Sequence, residues 1–289
     1  MDPTYSAYYR RLHENHWWFQ MRARWVLQAI REIRGSLTAT SALAASVEGT
    51  AREGTASAVP KKQSSRHSER SEESLLGSAS ATASPETPRI SILDIGCGDA
   101  LFFDSLAEFG DVEGVETDRD IVNPANPNFA KIHIGPLDDS FQPGKQFSLL
   151  LLLDVLEHIP DPAAALRCCV SLLQPGGTLL ITVPAFNLVW TNHDVINHHV
   201  TRYRKSTLFP LLQQAGLKIE TSAYWFQWTF PVKIAERTVE KVFRMQPANP
   251  PIPPPFINRA LRALCSLEHS ILGPLHPPFG TTLFVRCKK

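Results

Sequence analysis

The chain has 289 residues, 43% of them hydrophobic and 20% charged, enough for one substantial core plus an appendage. A formal net charge of +1 leaves no excess of Lys and Arg to follow a phosphate backbone, so nucleic acid is excluded as the expected partner. Five cysteines, an odd number with no Cys-x-x-Cys pair, argue against a disulfide framework and a zinc site and fit a reducing cytoplasm. The first residues lack the apolar core of a secretory signal, and no apolar run approaches the roughly 20 residues of a spanning helix.

Taken in chain order, Tyr5 to Ile33 reads as a helix, with Trp17, Trp18, Met21, Trp25, Leu27 and Ile30 on an apolar face and Arg22, Arg24, Arg31 and Arg34 elsewhere. Residues 1–34 form either a helix packed on the core or a lid over a ligand. Residues 35–88 are dominated by Ser, Ala, Thr, Glu and Gly. With few large apolar groups they cannot offset the entropy of ordering, and they read as a disordered low-complexity insertion.

Residues 89–222 alternate apolar strands with helical segments, the pattern of an α/β doubly wound sheet. Strands are expected near Ser91–Ile95, Val112–Glu116, Lys131–Ile134, Ser148–Leu153 and Thr178–Val183. Leu217–Thr221 and Thr281–Cys287 complete the sheet. The first strand runs into Gly96 and Gly98, which remove side chains where the backbone turns and nears a ligand. Leu101, Phe102, Leu106 and Phe109 then recur at helical spacing. Glu116 ends the second strand about 20 residues further on, where a carboxylate can accept two ribose hydroxyls.

Leu93-Asp94-Ile95-Gly96-Cys97-Gly98-Asp99-Ala100 resembles the first motif of the class I S-adenosylmethionine-dependent methyltransferases. The resemblance continues through Phe147 to Pro160, with Asp154, Glu157 and His158 after the fourth strand, and through the Gln174-Pro-Gly-Gly177 turn into the fifth. It implies a Rossmann-like, mainly parallel seven-stranded sheet with helices on both faces, its last strand in an antiparallel edge pair, and S-adenosylmethionine as cofactor. Ala100 departs from the family's third glycine, and Gly135-Pro-Leu-Asp-Asp139 from the usual acid directly after a glycine. Cofactor contacts are therefore assigned to Asp94, Gly96, Cys97, Gly98, Glu116, Leu137, Asp138 and Asp154, with Leu137 and Asp138 as candidates at the adenine. A subset of the family begins with a similar aromatic, Arg-rich helix, which favours the lid reading of residues 1–34.

After the fifth strand comes the polar cluster Asn192-His-Asp194 to His198-His199-Val-Thr-Arg202-Tyr203. It resembles the acceptor-side segment of small-molecule methyltransferases, with Thr201 standing where relatives often carry Arg. The catalytic candidates are His199 and His158 as general bases, Arg202 for an acceptor carboxylate or phosphate, and Tyr203 and Asp194. The competing reading has Arg202 and Tyr203 pin a loop and start a helix capped by Ser206. His193, Asp194, His198 and His199 offer metal-ligand chemistry, but adjacent side chains seldom converge on one ion, so no metal is expected.

Residues 223–289 combine Tyr224-Trp-Phe-Gln-Trp228, a helix over Lys233–Phe243, a proline run at 250–255, a helix over Phe256–Leu272 and the final strand. They form a cap over the sheet, or an apolar acceptor pocket and membrane-touching face in which Lys233, Arg237, Lys241 and Arg244 border aromatic residues. The expectation is a cytoplasmic methyltransferase, peripheral to the inner membrane face if the second reading holds, acting on a small-molecule or lipid-linked acceptor. The rivals are a non-catalytic scaffold that binds the cofactor and an NAD-dependent oxidoreductase, the latter weakened because Leu101 stands where the third glycine of G-x-G-x-x-G belongs.

Overall fold

A computed structural model describes residues 3–53, 89–138, 140–247 and 250–289. Residues 1–30 and 89–289 form one compact unit and residues 31–88 a second. In the first unit, α1 (Pro3–Asn15) and the part of α2 (Trp17–Glu53) up to Ile30 precede β1 (Ile90–Ile95), α3 (Phe103–Leu106), β2 (Gly110–Glu116), β3 (Ile132–Ile134) and β4 (Phe147–Leu153). There follow α4 (Pro162–Leu172), β5 (Leu173–Pro184), α5 (Asn192–Ile196), α6 (Lys205–Gln214) and β6 (Lys218–Trp225). Last come α7 (Thr229–Phe243), α8 (Pro255–Leu272) and β7 (Thr282–Lys288).

The seven strands form one sheet in the order β3-β2-β1-β4-β5-β7-β6. β1 to β5 pair in parallel, whereas β7 lies antiparallel between β5 and β6. The final strand is therefore an interior strand, with β6 at the edge. The leucine run of β4 explains its central place: Leu149, Leu150, Leu151 and Leu152 are all fully buried, so both faces of the strand are covered. α4 starts where Asp161 accepts from the Ala164 N–H at 3.0 Å and Pro162 presets the first turn. Strand order reverses between β1 and β4, so the carboxyl ends of those strands open a crevice there.

Three local expectations are corrected. The Tyr5–Ile33 helix is two helices, broken at His16. The Asn258 side chain from α8 satisfies the break, accepting from the Trp17 N–H at 3.0 Å and donating to the Asn15 carbonyl at 2.8 Å, a partner more than 240 residues away. The helix continues to Glu53 through residues assigned to the insertion, a stretch rich in Ala, Leu and Ser that tolerates helix; the rest of the insertion, 54–88, lies outside the described residues. α6 begins one residue early, at Lys205. Its first turn is closed by the Arg204 N–H donating to Thr207 Oγ1 at 2.9 Å, so Ser206 is not the cap.

The two aromatic-rich ends of the chain are each other's packing partners. Trp25 lies 4.7 Å from Phe226 and 4.6 Å from His269, centroid to centroid, and Trp17 lies 5.4 Å from Trp228. Trp25 and Phe226 are buried. Asn258→Ala should therefore release the amino-terminal helices, lowering stability by about 1–3 kcal/mol. Hydrogen exchange should rise first in residues 8–30, and unchanged protection there would refute the linkage.

Candidate active site

The glycine loop leaves β1 with its backbone tied down. Gly96 N–H donates to the Val115 carbonyl at 2.8 Å, and Gly98 N–H donates to Glu116 Oε2 at 2.9 Å. Both glycines take left-handed φ, +69° and +55°, and a Cβ on Gly96 would stand 2.5 Å from Val155 Cγ2. Ala100, at the family's third glycine position, adopts φ +55° with a side chain present, a conformation that costs about 1–2 kcal/mol. The helix expected after the loop shortens to the single turn of α3, preceded by turns. The ligand side of the loop is lined instead by carboxylates, which accept hydrogen bonds where a long helix N-terminus would donate them.

Glu116 is one of these. Besides Gly98, it accepts from the Asp118 N–H through Oε1 at 3.0 Å, which leaves lone pairs for two further donors such as vicinal hydroxyls. Glu116, Leu137, Asp138, Asp154 and His158 line a cavity of about 1200 Å³ that begins at Gly96 and Gly98. Asp138 is exposed, and its Oδ1 accepts both the N–H and the hydroxyl of Ser140. Asp154, at the end of β4, has φ +56°. A smaller cavity, about 60 Å³, lies behind the loop between Asp94, Cys97, Tyr9, His13 and Arg22. All eight residues assigned to the cofactor thus line one of the two cavities.

Arg22 is the residue that sequence reasoning missed. It is buried, its Nη1 bonds the Asp154 carboxylate, and its guanidinium lies 5.3 Å from the Trp18 ring centroid. Its Nε is buried without a partner. Tyr9 and Arg10 reach the large cavity, and Arg10 pairs with Asp99. Arg22 was legible only as an off-face arginine of a helix, because Asp154 lies 132 positions away. Burial pushes the Asp94 carboxyl up to about 7, against the pull of the Arg22 charge.

The cluster after β5 is built around Asp194, which is fully buried. Its carboxylate accepts from Arg202 Nε at 2.7 Å and Nη2 at 2.8 Å, pairs with His199 Nδ1 at 2.7 Å, and accepts the Thr191 N–H at 2.8 Å. Burial alone would raise its pKa, but the His199 and Arg202 hydrogen bonds bring it below the usual carboxylate range. Arg202 Nη1 donates to the Ala185 carbonyl at 3.1 Å. Its fork is therefore turned inward onto Asp194 and the Ala185 carbonyl, away from the large cavity that the expected role in binding an acceptor anion would need. Tyr203 is buried, donates to the Leu156 carbonyl at 3.3 Å and has its phenol pushed up to about 12 by burial.

Of the five catalytic candidates, only His158 lines the large cavity. His199 stands behind it, ring centroids 4.8 Å apart, with its Nε2 3.9 Å from Glu157 Oε1. Its second nitrogen thus faces Glu157 and not the large cavity.

A family model described as a methyltransferase domain matches residues 61–222, more than half of the chain. The chain belongs to the methyltransferase domain family. It is a class I S-adenosylmethionine-dependent methyltransferase, with the seven-stranded sheet of that class. The methyltransferase is 29% identical over 171 residues to a ubiquinone biosynthesis O-methyltransferase of Xanthomonas euvesicatoria pv. vesicatoria, covering 51% of this chain and 71% of that protein. A protein of the same name from Methylococcus capsulatus is 32% identical over 100 residues, 31% of this chain and 41% of that one. Among solved structures, a SAM-dependent methyltransferase from Archaeoglobus fulgidus superposes with TM-score 0.45 at 15% identity, covering 68% and 85% of the two chains.

The site fits the cofactor. Glu116 has free lone pairs beside the loop, the glycines leave the cavity wall bare, and the unpartnered Arg22 Nε suits a carboxylate beside Asp94. S-adenosylmethionine supplies, when bound, a methyl group on a positively charged sulfur. The chain's part is to bind and align two reactants and to exclude water.

Proposed function

We propose that this methyltransferase transfers the methyl group to a hydroxyl oxygen of a small, largely apolar ring, in which Glu116 holds the ribose, Arg22 and Asp94 the amino-acid end, and Leu137 and Asp138 flank the adenine. The single observation that carries the reading is one cavity of about 1200 Å³ whose lining runs from Gly96 and Glu116 to His158. The relatives named for O-methylation in ubiquinone biosynthesis support an aromatic, lipid-linked acceptor. The amino-terminal helices act as the lid, since Tyr9, Arg10 and Arg22 close on the cavities. Asp194, Arg202 and Tyr203 are positioning residues that hold His199 against the wall. The test is turnover of labelled S-adenosylmethionine with dihydroxylated aromatic acids carrying or lacking a prenyl chain and, in parallel, with aromatic amines. Methyl ether formation, faster with the chain, supports the reading, and turnover only with amines rejects it.

The carboxy-terminal helices support delivery from a membrane surface. Phe243, Met245, Phe256, Leu267, Ile271 and Leu275 on and beside α7 and α8 are all more than half exposed, and Lys241 and Arg244 border them. No described helix is long and apolar enough to cross a membrane. Phe243→Glu combined with Phe256→Glu should reduce co-sedimentation with anionic vesicles at least about tenfold, about 1.4 kcal/mol. Equal sedimentation of variant and wild type would sink the surface role.

A further inference from the structure

The turn after β4 and the loop after α5 are tied together by the Val200 N–H, which donates to the Glu157 carbonyl at 2.8 Å. This bond brings Glu157, His158 and His199 into one cluster, with one nitrogen or oxygen atom from each within 4.8 Å of the others. Glu157 is fully buried, and neither carboxylate oxygen has a hydrogen-bond partner. A buried carboxylate left this way is costly unless it takes up a proton or something positive joins it. Arg202 does not supply that charge directly, because its fork is bonded to Asp194 and Ala185.

The Asp194–His199 contact has its own meaning. A carboxylate on Nδ1 fixes the histidine tautomer and ring plane so that Nε2 carries its lone pair forward, as the outer partner of a metal-bound imidazole does. Here Nε2 points at the unpartnered carboxylate, 3.9 Å away, a separation that two atoms bound to one cation can span. His158 is exposed on the cavity side, so the remaining coordination positions face the cavity. Of the set weighed from sequence, His193, Asp194, His198 and His199, only His199 takes part.

We propose that Glu157, His158 and His199 bind one divalent transition-metal ion, with its open side toward the acceptor end of the cavity. Two imidazole nitrogens and one carboxylate suit zinc, manganese, iron(II) or cobalt(II) better than magnesium or calcium. The site stands on its own geometry and needs neither the oxygen-acceptor reading nor a bound methyl donor.

The test uses tag-free, full-length protein stripped with a chelator and titrated with Zn²⁺ and, separately, with Co²⁺, whose visible absorption reports its ligands. One equivalent per chain is expected. His158→Ala and Glu157→Gln should each weaken binding at least about a hundredfold, beyond the loss typical of a group that only orients a ligand. His193→Ala should bind as wild type does. His158→Ala is an exposed change that leaves the buried packing intact, so it decides the matter if Glu157→Gln fails to fold. No stoichiometric binding, equal affinity in wild type and His158→Ala, or an equal loss in His193→Ala would each overturn the site. Because neither acceptor nor methyl donor is present, failure here is separate from failure of the methyl-transfer reading.

Discussion

Gly96→Arg is expected to weaken S-adenosylmethionine binding by more than about a hundredfold, about 2.7 kcal/mol, while leaving the far-ultraviolet circular dichroism of the sheet in place. The loss has two additive sources. Gly96 sits at φ +69°, so any side chain there is strained, and its Cβ would meet the Val155 side chain at 2.5 Å. The rest of the arginine would project into the cavity that Gly96 lines, and its charge would compete with Arg22 for Asp154 and Asp94. Calorimetric titration of variant and wild type checks it, with NAD as a control ligand that should bind neither. Near-normal affinity in the variant would move the cofactor away from this loop.

Asp194→Ala should produce the largest loss of stability, about 3–5 kcal/mol, because it strips a buried guanidinium of its carboxylate. Arg202 is 6% exposed and would keep only its bond to the Ala185 carbonyl, while His199 would lose the partner that orients it and the Thr191 N–H its acceptor. Urea unfolding measures the loss. The Arg202→Met change should cost less, since His199 and Thr191 still satisfy Asp194. Combining Asp194→Ala with Arg202→Met should be milder than the sum of the two, because the orphaned charge is gone. Additive losses would show that the pair contributes little and that the loop is held elsewhere.

Much of the fold is legible along the chain because its determinants are local. An apolar β-branched run, two glycines and an acid about 20 residues later specify strand, turn and strand end within one short segment, and Gly96, Gly98 and Glu116 need no distant partner to be recognised. The leucines of β4 announce a strand covered on both faces in the same way. The antiparallel direction of β7 follows from the family resemblance, but its interior place is not local: it depends on the chain returning to enter between β5 and β6.

The chemistry beyond the cofactor loop was decided by tertiary structure. The sequence by itself determined that a His, Asp, Arg and Tyr cluster follows the fifth strand, since adjacency is written in the chain. It did not determine which way the side chains turn. Packing turned Arg202 inward onto Asp194, set His199 beside Glu157, and brought Arg22 from an amino-terminal helix to Asp154. The physical reason is burial: a charge removed from water must find its opposite wherever the fold brings one, and that partner's distance along the chain carries no signal.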